Sequence, residues 1–489
     1  MLSDETQPLL IQSSGDEGEE TSPSRRTRVI ALVLVFLLST GANWTEACLG
    51  PLKSTLLEDM QINNTQYGVI SASTQLANTI LPIFAGLWID RVGASRMAVF
   101  ATSTVCIGAI LAALACTSAS YTLLVIGRII QGMGVIVVDT AATKLIVLWS
   151  REAGWLGLAI SCNFAFDRAA GALSKATSVP ISQVDGATLP ARTFWVAAVI
   201  STISLLAALA YNRFEDVQLR KAPSSQANAT SSLAMLRKTL TSLPAFFVFI
   251  VVTQFYQPIA VFNNLSADIL RWRGTSPREA GYLASIGQVT PIFIAPLLGS
   301  FFDRHGHRLE FIPLTAVLLG TTFALLAWTD IRPLIIMMIF SLGNAFNTPP
   351  YLCSLAILLK EEATFGCSYG IWKACMQGNQ IIMNVTMGRL QDRTPGQGYE
   401  RVLMVLFISK AAELIWGLSY VALDQIWALV TLTSGEVRRK AIQARSNDPS
   451  SPPWRSSGLR PSGYSNWAAI MYLITIMVSS WSLFFGYYR

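Results

Sequence analysis

Asp167 and Arg168 stand side by side near the middle of an apolar run, Trp155–Val179, in a chain of 489 residues. A charge at the centre of a bilayer costs roughly 2.5–3.5 kcal/mol on insertion scales unless it finds a partner or water. The pair therefore offers two chemistries: an ion pair that holds helices together, or a site for a charged group brought from outside. At helical spacing Arg168 shares a face with Ser161, Phe164, Ala165, Gly171, Ala172 and Lys175, and the small side chains leave room around one guanidinium. Asp167 is turned about 100° away, in line with Asn163, Gly171 and Ser174, so the two neighbours do not simply neutralise each other.

The elements that must position this pair are membrane helices. The chain is 52% hydrophobic and 13% charged, against about 25% charged residues in an average soluble domain. Its net charge of +7 is spread over the loops, so it sets orientation in a bilayer and does not mark a nucleic-acid surface. The seven cysteines show no metal-ligand spacing, and both histidines, His305 and His307, share one short loop. With neither a metal set nor a nucleophile–base constellation, an enzyme is disfavoured and no cofactor is expected.

The expected class is an all-α membrane protein. Apolar runs of about the 20 residues a bilayer needs fall at Val29–Leu49, Tyr67–Trp88, Met97–Ala115, Tyr121–Leu148, Trp155–Val179 and Phe194–Tyr211. Six more fall at Leu243–Phe262, Gly281–Phe302, Phe311–Trp328, Leu334–Leu359, Phe365–Leu390 and Val402–Leu423, and a thirteenth at Trp467–Tyr487. This divides the chain into a tail (1–28), a six-helix bundle (29–212), a linker (213–242) with a short amphipathic helix around Leu233–Leu243, and a second bundle (243–424). A basic, Pro/Ser-rich linker (425–466) and an extra apolar helix (467–489) follow. Lys and Arg concentrate in the loops at Arg91/Arg96, Arg151, Arg213–Lys238, Arg304/Arg308 and Arg438–Lys440, which puts the amino terminus in the cytosol. Arg271, Arg273 and Arg278 are the exception. The thirteenth run either spans the membrane, the favoured reading, or lies along its surface.

The two bundles are repeats. Gly86-Leu-Trp-Ile-Asp90-Arg91-Val-Gly93 and Gly299-Ser-Phe-Phe-Asp303-Arg304-His-Gly306 both read G-x-x-x-D-R-x-G, followed by the basic residues Arg96 and Arg308. Their aspartates lie 213 positions apart, as do Gly157 and Gly370. The motif implies a tight turn whose Asp faces a helix amino terminus and whose arginines reach neighbouring helices, a latch for one face of the bundle pair.

Here the chain resembles the major facilitator superfamily, and Arg128-Ile-Ile-Gln131-Gly132-Met-Gly134 is similar to its R-x-x-Q-G-x-G signature. The resemblance covers about residues 28–435 and implies two six-helix bundles related by a pseudo-twofold axis, rocking around a midplane site. The gating residues it implies are Asp90, Arg91, Arg96, Asp303, Arg304 and Arg308, with Arg128 and Asp139. The Gly-Pro pattern of drug/proton antiporters is missing from the fifth helix, which argues against drug efflux.

Within that superfamily the chain resembles the lysosomal dipeptide transporter family. The residues concerned are Asp59-Met60-Gln61-Ile-Asn63, Ile89-Asp90-Arg91, Phe166–Gly171, Gly366-Cys-Ser-Tyr369-Gly370 and Gly388–Asp392. Glu5-Thr-Gln-Pro-Leu9-Leu10 in the tail has the form of an acidic dileucine sorting signal, either read by an adaptor or idle. The resemblance implies uniport of dipeptides out of a lysosome or vacuole, with Arg168 pairing with the peptide carboxylate. The fourth helix departs from the family: an ungapped count from Arg128 puts Ile136 where its acidic residue stands, with Asp139 one turn on. The animal family is also associated with a glycosylated single-pass partner. Asn63-Asn-Thr65 is a glycan acceptor pattern.

A zwitterion needs a cation, an anion and polar donors and acceptors in an enclosed cavity. Arg168 is the expected anchor, since its planar fork fits a carboxylate, while Lys175, two turns on, is expected to snorkel. Glu46, Asp139 and Asp167 compete for the amine. Asn163, Gln254, Tyr256, Gln257 and Gln380, the repeat equivalent of Asp167, complete the expected lining. Asn344 and Asn347 before Pro349-Pro350 mark a break or a plain kink, and Lys373 is either a second cation or a partner for Glu413. Competing readings are a proton-coupled carrier of another amino acid, sugar or organic anion, and a transporter-like nutrient receptor.

Overall fold

The computed structural model describes residues 25–150, 156–184, 189–219, 253–254, 257–358, 362–426 and 463–488. Glu5, Leu9, Leu10, Tyr256 and the expected amphipathic helix at 233–243 lie outside these. All regular elements among the described residues are helical, as hydrocarbon requires of a chain that must satisfy its backbone within each segment. Among the described residues, seven helical stretches are long and apolar enough to cross a membrane.

The first run is two helices, α1 (Arg25–Leu38) and α2 (Thr40–Ala47), meeting at Ser39. A short α3 (Lys53–Asp59) leads to α4 (Asn64–Leu76), which a capping box between Asn63 and Gln66 starts. A 3-10 turn, Ala77–Thr79, separates α4 from α5 (Leu81–Val92). Then come α6 (Ala94–Thr117), α7 (Tyr121–Ser150), α8 (Leu156–Ser182) and α9 (Pro190–Leu219). The last runs past the expected start of the linker at 213, because Phe214 packs against the rings of Trp149 and Tyr211.

The second half opens with α10 (Gln257–Trp272) and continues with α11 (Pro277–Ile286) and α12 (Val289–His305), which are one expected run broken at Gly287–Gln288. It closes with α13 (Phe311–Trp328), α14 (Pro333–Leu358), α15 (Glu362–Asp392) and α16 (Glu400–Ile426). Of the two alternatives for the tenth run, a break or a plain kink, the break is absent: α14 is continuous through Pro349 and Pro350. Its polar residues instead mend the break beside it. Ser341 donates to Ile286 O (2.7 Å) and Asn344 to Gly287 O (2.8 Å), supplying partners for carbonyls that an unbroken helix would have satisfied itself.

Small residues let these helices approach. A Cβ on Gly68 of α4 would come within 2.6 Å of Asn384 O on α15, and one on Gly388 of α15 would collide with Asn64 O. Gly132 of α7 abuts the Thr74 carbonyl, which gives the R-x-x-Q-G-x-G segment a packing reason.

Both repeat motifs end on a left-handed glycine. Gly93 (φ 99°) closes α5 with its N–H on Ile89 O, and Gly306 (φ 82°) closes α12 with its N–H on Phe302 O. The two acceptors each precede the motif aspartate, so the turns are built alike. Nothing lies within 4 Å of a Cβ placed on Gly93. Gly93→Ala is therefore expected to lose stability through backbone strain alone, about 1–3 kcal/mol, read as a lower thermal unfolding midpoint in detergent; an unchanged midpoint would remove the turn argument.

These turns define one face of the molecule, the turn face. One apolar core near it, which includes Ile89, Met97, Ile146 and Trp149, belongs to the first half alone among the described residues. A second core, toward the opposite face, joins Leu49, Leu52, Tyr67 and Ile70 to Phe262, Leu265, Val385 and Tyr399 of the second half.

The thirteenth run forms α17 (Gly463–Tyr487). Ile476 meets Gly378, and Tyr487 lies over Arg389 at 4.6 Å. The contacts advance by equal steps on both helices, so α17 runs beside α15 in the same direction. It also touches the first half, where Trp481 Nε1 donates to Thr79 Oγ1 (3.0 Å) and Tyr488 packs on Tyr121.

Candidate functional site

The central charges lie where α8 faces both halves. Asp167 turns toward the first helix pair and accepts from Ser39 Oγ (2.5 Å), Asn43 Nδ2 (2.7 Å) and Asn163 Nδ2 (3.2 Å). Ser39 reaches it because the chain breaks between α1 and α2 at that residue. Three donors around one half-buried carboxylate replace hydration without using up a cation.

Arg168 turns the other way. Its Nη1 donates to Gln288 Oε1 (3.1 Å), and its guanidinium lies 4.6 Å from the Phe164 ring centroid. Gln288 Nε2 donates in turn to Asn263 Oδ1 (2.9 Å). Lys175 does not snorkel. It is 4% exposed and donates to Asn263 O (2.9 Å) and Oδ1 (3.4 Å), because α10 brings two acceptors to it inside the protein. Two cations of the first half thus share a pair of neutral amides from the second.

Glu46 is half-buried on α2, 3.4 Å from the Gln75 amide. Asp139 pairs across the halves with Lys373 (3.4 Å). Glu413 is taken by Lys410 and by Tyr351 (2.7 Å), all three fully or almost fully buried, so of the two alternatives for Lys373 the pairing with Glu413 is not formed. Gln254 accepts from Asn379. Gln380 is buried nearby on α15, and Gln257 begins α10.

The expected gating residues divide. Asp90, Arg91, Asp303 and Arg304 sit in the last turns of α5 and α12, on the turn face. Arg96 is exposed, whereas Arg308 is buried and donates to Phe302 O (2.6 Å), stapling its own turn. Arg128 works inside the first half: it is buried and donates to Thr45 O (3.0 Å) and Gln131 Oε1 (3.1 Å), fastening α7 to the helix that carries Asn43 and Glu46.

Sequence reasoning missed a network closing the opposite face. Lys53, 1% exposed, donates to Gln391 Oε1 (2.6 Å) and Tyr399 Oη (2.6 Å) and pairs with Asp268 (3.2 Å). Ser54 and Tyr399 also donate to Asp268. Beside it, Asp392 caps the start of α4, accepting from Asn64 N (3.1 Å), Asn64 Nδ2 (2.9 Å), Thr65 N (2.8 Å) and Thr65 Oγ1. A carboxylate from one half on a helix amino terminus of the other is a favourable arrangement that needs the halves together. Lys53 and Asp268 look like ordinary loop charges in the sequence. Gln288 did leave a signal, since Gly287 and Pro291 bracket a helix restart and a proline without N–H suits the first turn of α12.

Two helical halves, matching motif turns and buried charges where the halves meet define a membrane carrier fold, and the chain belongs to the Major Facilitator Superfamily, whose family model matches residues 32–377. It is a multi-pass membrane protein of a transporter family. Among its relatives is the lysosomal dipeptide transporter MFSD1, 22% identical over 83% of this chain and 91% of the Bos taurus protein, and 22% identical over 79% of this chain and 84% of the Homo sapiens one. Solved structures share the fold. A D-xylose–proton symporter superposes with a TM-score of 0.63 at 16% identity, covering 81% of this chain and 97% of that one. The nucleoside transporter NupG gives 0.58 at 16% identity, covering 81% and 99%.

Proposed function

We propose that the chain is a secondary transporter working by alternating access, which moves dipeptides or related small zwitterionic or anionic solutes out of a lysosome or vacuole. The observation that carries this reading is the polarity of α8: Asp167 is held toward the first helix pair while Arg168 reaches across to the second half. An amine and a carboxylate brought between these poles would meet opposite charges on opposite sides of one helix. Arg168 has one hydrogen-bonding partner among the described residues, and a guanidinium fork has donors to spare for a carboxylate.

Asp167 is the amine partner in this reading. Its position beside Arg168 and its three neutral donors favour it over Asp139, which Lys373 occupies. The Lys53 and Asp392 network is then the lumenal gate in its closed form. The likeness to MFSD1 supports the dipeptide and the lysosomal membrane together.

The test is uptake into proteoliposomes of labelled dipeptides, single amino acids, sugars and dicarboxylates, each with and without an imposed pH gradient. Saturable dipeptide uptake that is indifferent to the gradient is expected. Transport of a sugar or dicarboxylate alone would sink the peptide reading, and an absolute need for the gradient would sink uniport.

A further inference from the structure

Four side chains form an unbroken polar chain between the halves: Arg168, Gln288, Asn263 and Lys175, with separations of 3.1, 2.9 and 3.4 Å. Both cations belong to α8 of the first half. Both amides belong to the second, Asn263 on α10 and Gln288 at the break between α11 and α12. That break is a built feature. Gly287 has the Phe340 ring where a Cβ would stand, at 2.7 Å, and the freed carbonyls of Ile286 and Gly287 are satisfied by Ser341 and Asn344. A broken helix at membrane depth is tolerated where protein or a cavity satisfies its backbone, and such breaks accompany solute sites.

We propose that Gln288 is a placeholder: its amide oxygen occupies Arg168 while the site is empty and is displaced by the carboxylate of an arriving solute. The inference rests on the solute reading of Arg168 given above. The chemistry favours the exchange, because a charge-assisted, bidentate carboxylate contact is about twice as strong as a neutral amide one. The released Gln288 keeps its bond to Asn263, so no buried amide is stranded at both ends. What changes is the tie between the halves. The α8 backbone is close-packed on α11, with a Cβ at Gly281 falling 3.2 Å from Lys175 O, and Arg168–Gln288 is the link that fastens α8 to the start of α12. A solute that takes Arg168 removes that link while Lys175–Asn263 stays, so occupancy is communicated to the eighth span at its weakest point. Gln288 is a positioning residue that competes with the solute, which is the opposite of a residue that binds it.

The two roles separate under substitution. Gln288→Glu places a fixed carboxylate against Arg168, an internal competitor, and is expected to raise KM at least tenfold. Gln288→Met keeps the length and removes the amide, so Arg168 is free and KM falls by about two- to tenfold, the worth of one neutral hydrogen bond, while Vmax does not rise. The variants are compared by uptake of labelled leucyl-alanine and by the shift in thermal midpoint that leucyl-alanine, leucine and succinate each produce in purified protein. Arg168→Ala is carried alongside, and size-exclusion profiles confirm folding. A shift lost in Arg168→Ala and Gln288→Glu but enlarged in Gln288→Met supports the placeholder. A shift lost in Arg168→Ala yet retained in Gln288→Glu overturns the placeholder alone, as does a Gln288→Met variant whose KM rises with that of Gln288→Glu. A wild-type midpoint that none of the three carboxylates moves, or a shift that survives Arg168→Ala, overturns the solute reading and the placeholder with it.

Discussion

Arg168→Ala is expected to abolish saturable uptake of a labelled dipeptide in proteoliposomes while leaving the protein folded. The two halves of that expectation have different sources. For folding, the side chain contributes one neutral-acceptor hydrogen bond to Gln288 and one face-on contact with Phe164, together about 1–2 kcal/mol, and alanine relieves the membrane of a charge. For transport, removing one partner of an enclosed charge pair costs about 2–5 kcal/mol. At 1.4 kcal/mol per decade that is roughly a thirty-fold to several-thousand-fold loss of apparent affinity. Arg168→Lys keeps the charge but not the fork and should recover only part of it. Uptake unchanged from wild type in Arg168→Ala, with normal elution on size exclusion, would take Arg168 out of the site.

The second large effect belongs to the closed face. Lys53→Met leaves Asp268, whose side chain is 13% exposed, buried without its cation, and breaking such a pair from one side costs about 3–5 kcal/mol. That cost falls on the closed arrangement, because Lys53 and Asp268 belong to different halves. A single cysteine at the buried Ser71 behind this network, in a background lacking the native cysteines, should then react faster with an impermeant maleimide. Adding Asp268→Asn should restore much of the protection by removing the stranded charge. Equal labelling rates in wild type and Lys53→Met would sink the gate.

The same pair fixes the pH response. Burial pushes the Asp268 carboxyl up, but Lys53, Ser54 and Tyr399 together outweigh it and hold the group below its ordinary value. A carboxylate depressed in the folded state contributes stability that is present above its unfolded pKa, about 3.9. That contribution is lost only as pH falls through the depressed value. Labelling at Ser71 should therefore be flat between pH 7 and pH 5, and a rise over that interval would contradict the assignment.

What the sequence showed and what it hid follow from where the information sits. Asp167 and Arg168 were legible because a charge in an apolar run is costly wherever the chain goes. The repeat was legible because Gly93 and Gly306 answer a local backbone demand that recurs at a fixed offset. The helix breaks at Ser39 and Gly287 were blurred, since hydropathy runs straight over them. Lys53 with Asp268, and Asp392 with α4, pair residues more than two hundred positions apart whose types are ordinary for loops. Only the approach of the halves, through Gly68 and Gly388, makes them partners. Lys175 was misjudged for the same reason: a lysine near a helix end escapes to water unless another helix brings it a carbonyl, and Asn263 does.

The helix α17 gives the two halves a passenger. Its grip on α15 is a side chain pressed into Gly378, with Tyr487 stacked on Arg389. Its hold on the first half includes an indole hydrogen bond to Thr79 and a ring contact at Tyr121, lighter than its packing on α15. In the alternating access proposed above, the lighter hold is the one that lets go, so α17 travels with the second half and slides over the first. The moving bodies are then unequal in size, the second carrying α17 as an addition, and the seam at α4 works as a bearing with an aromatic catch at Trp481.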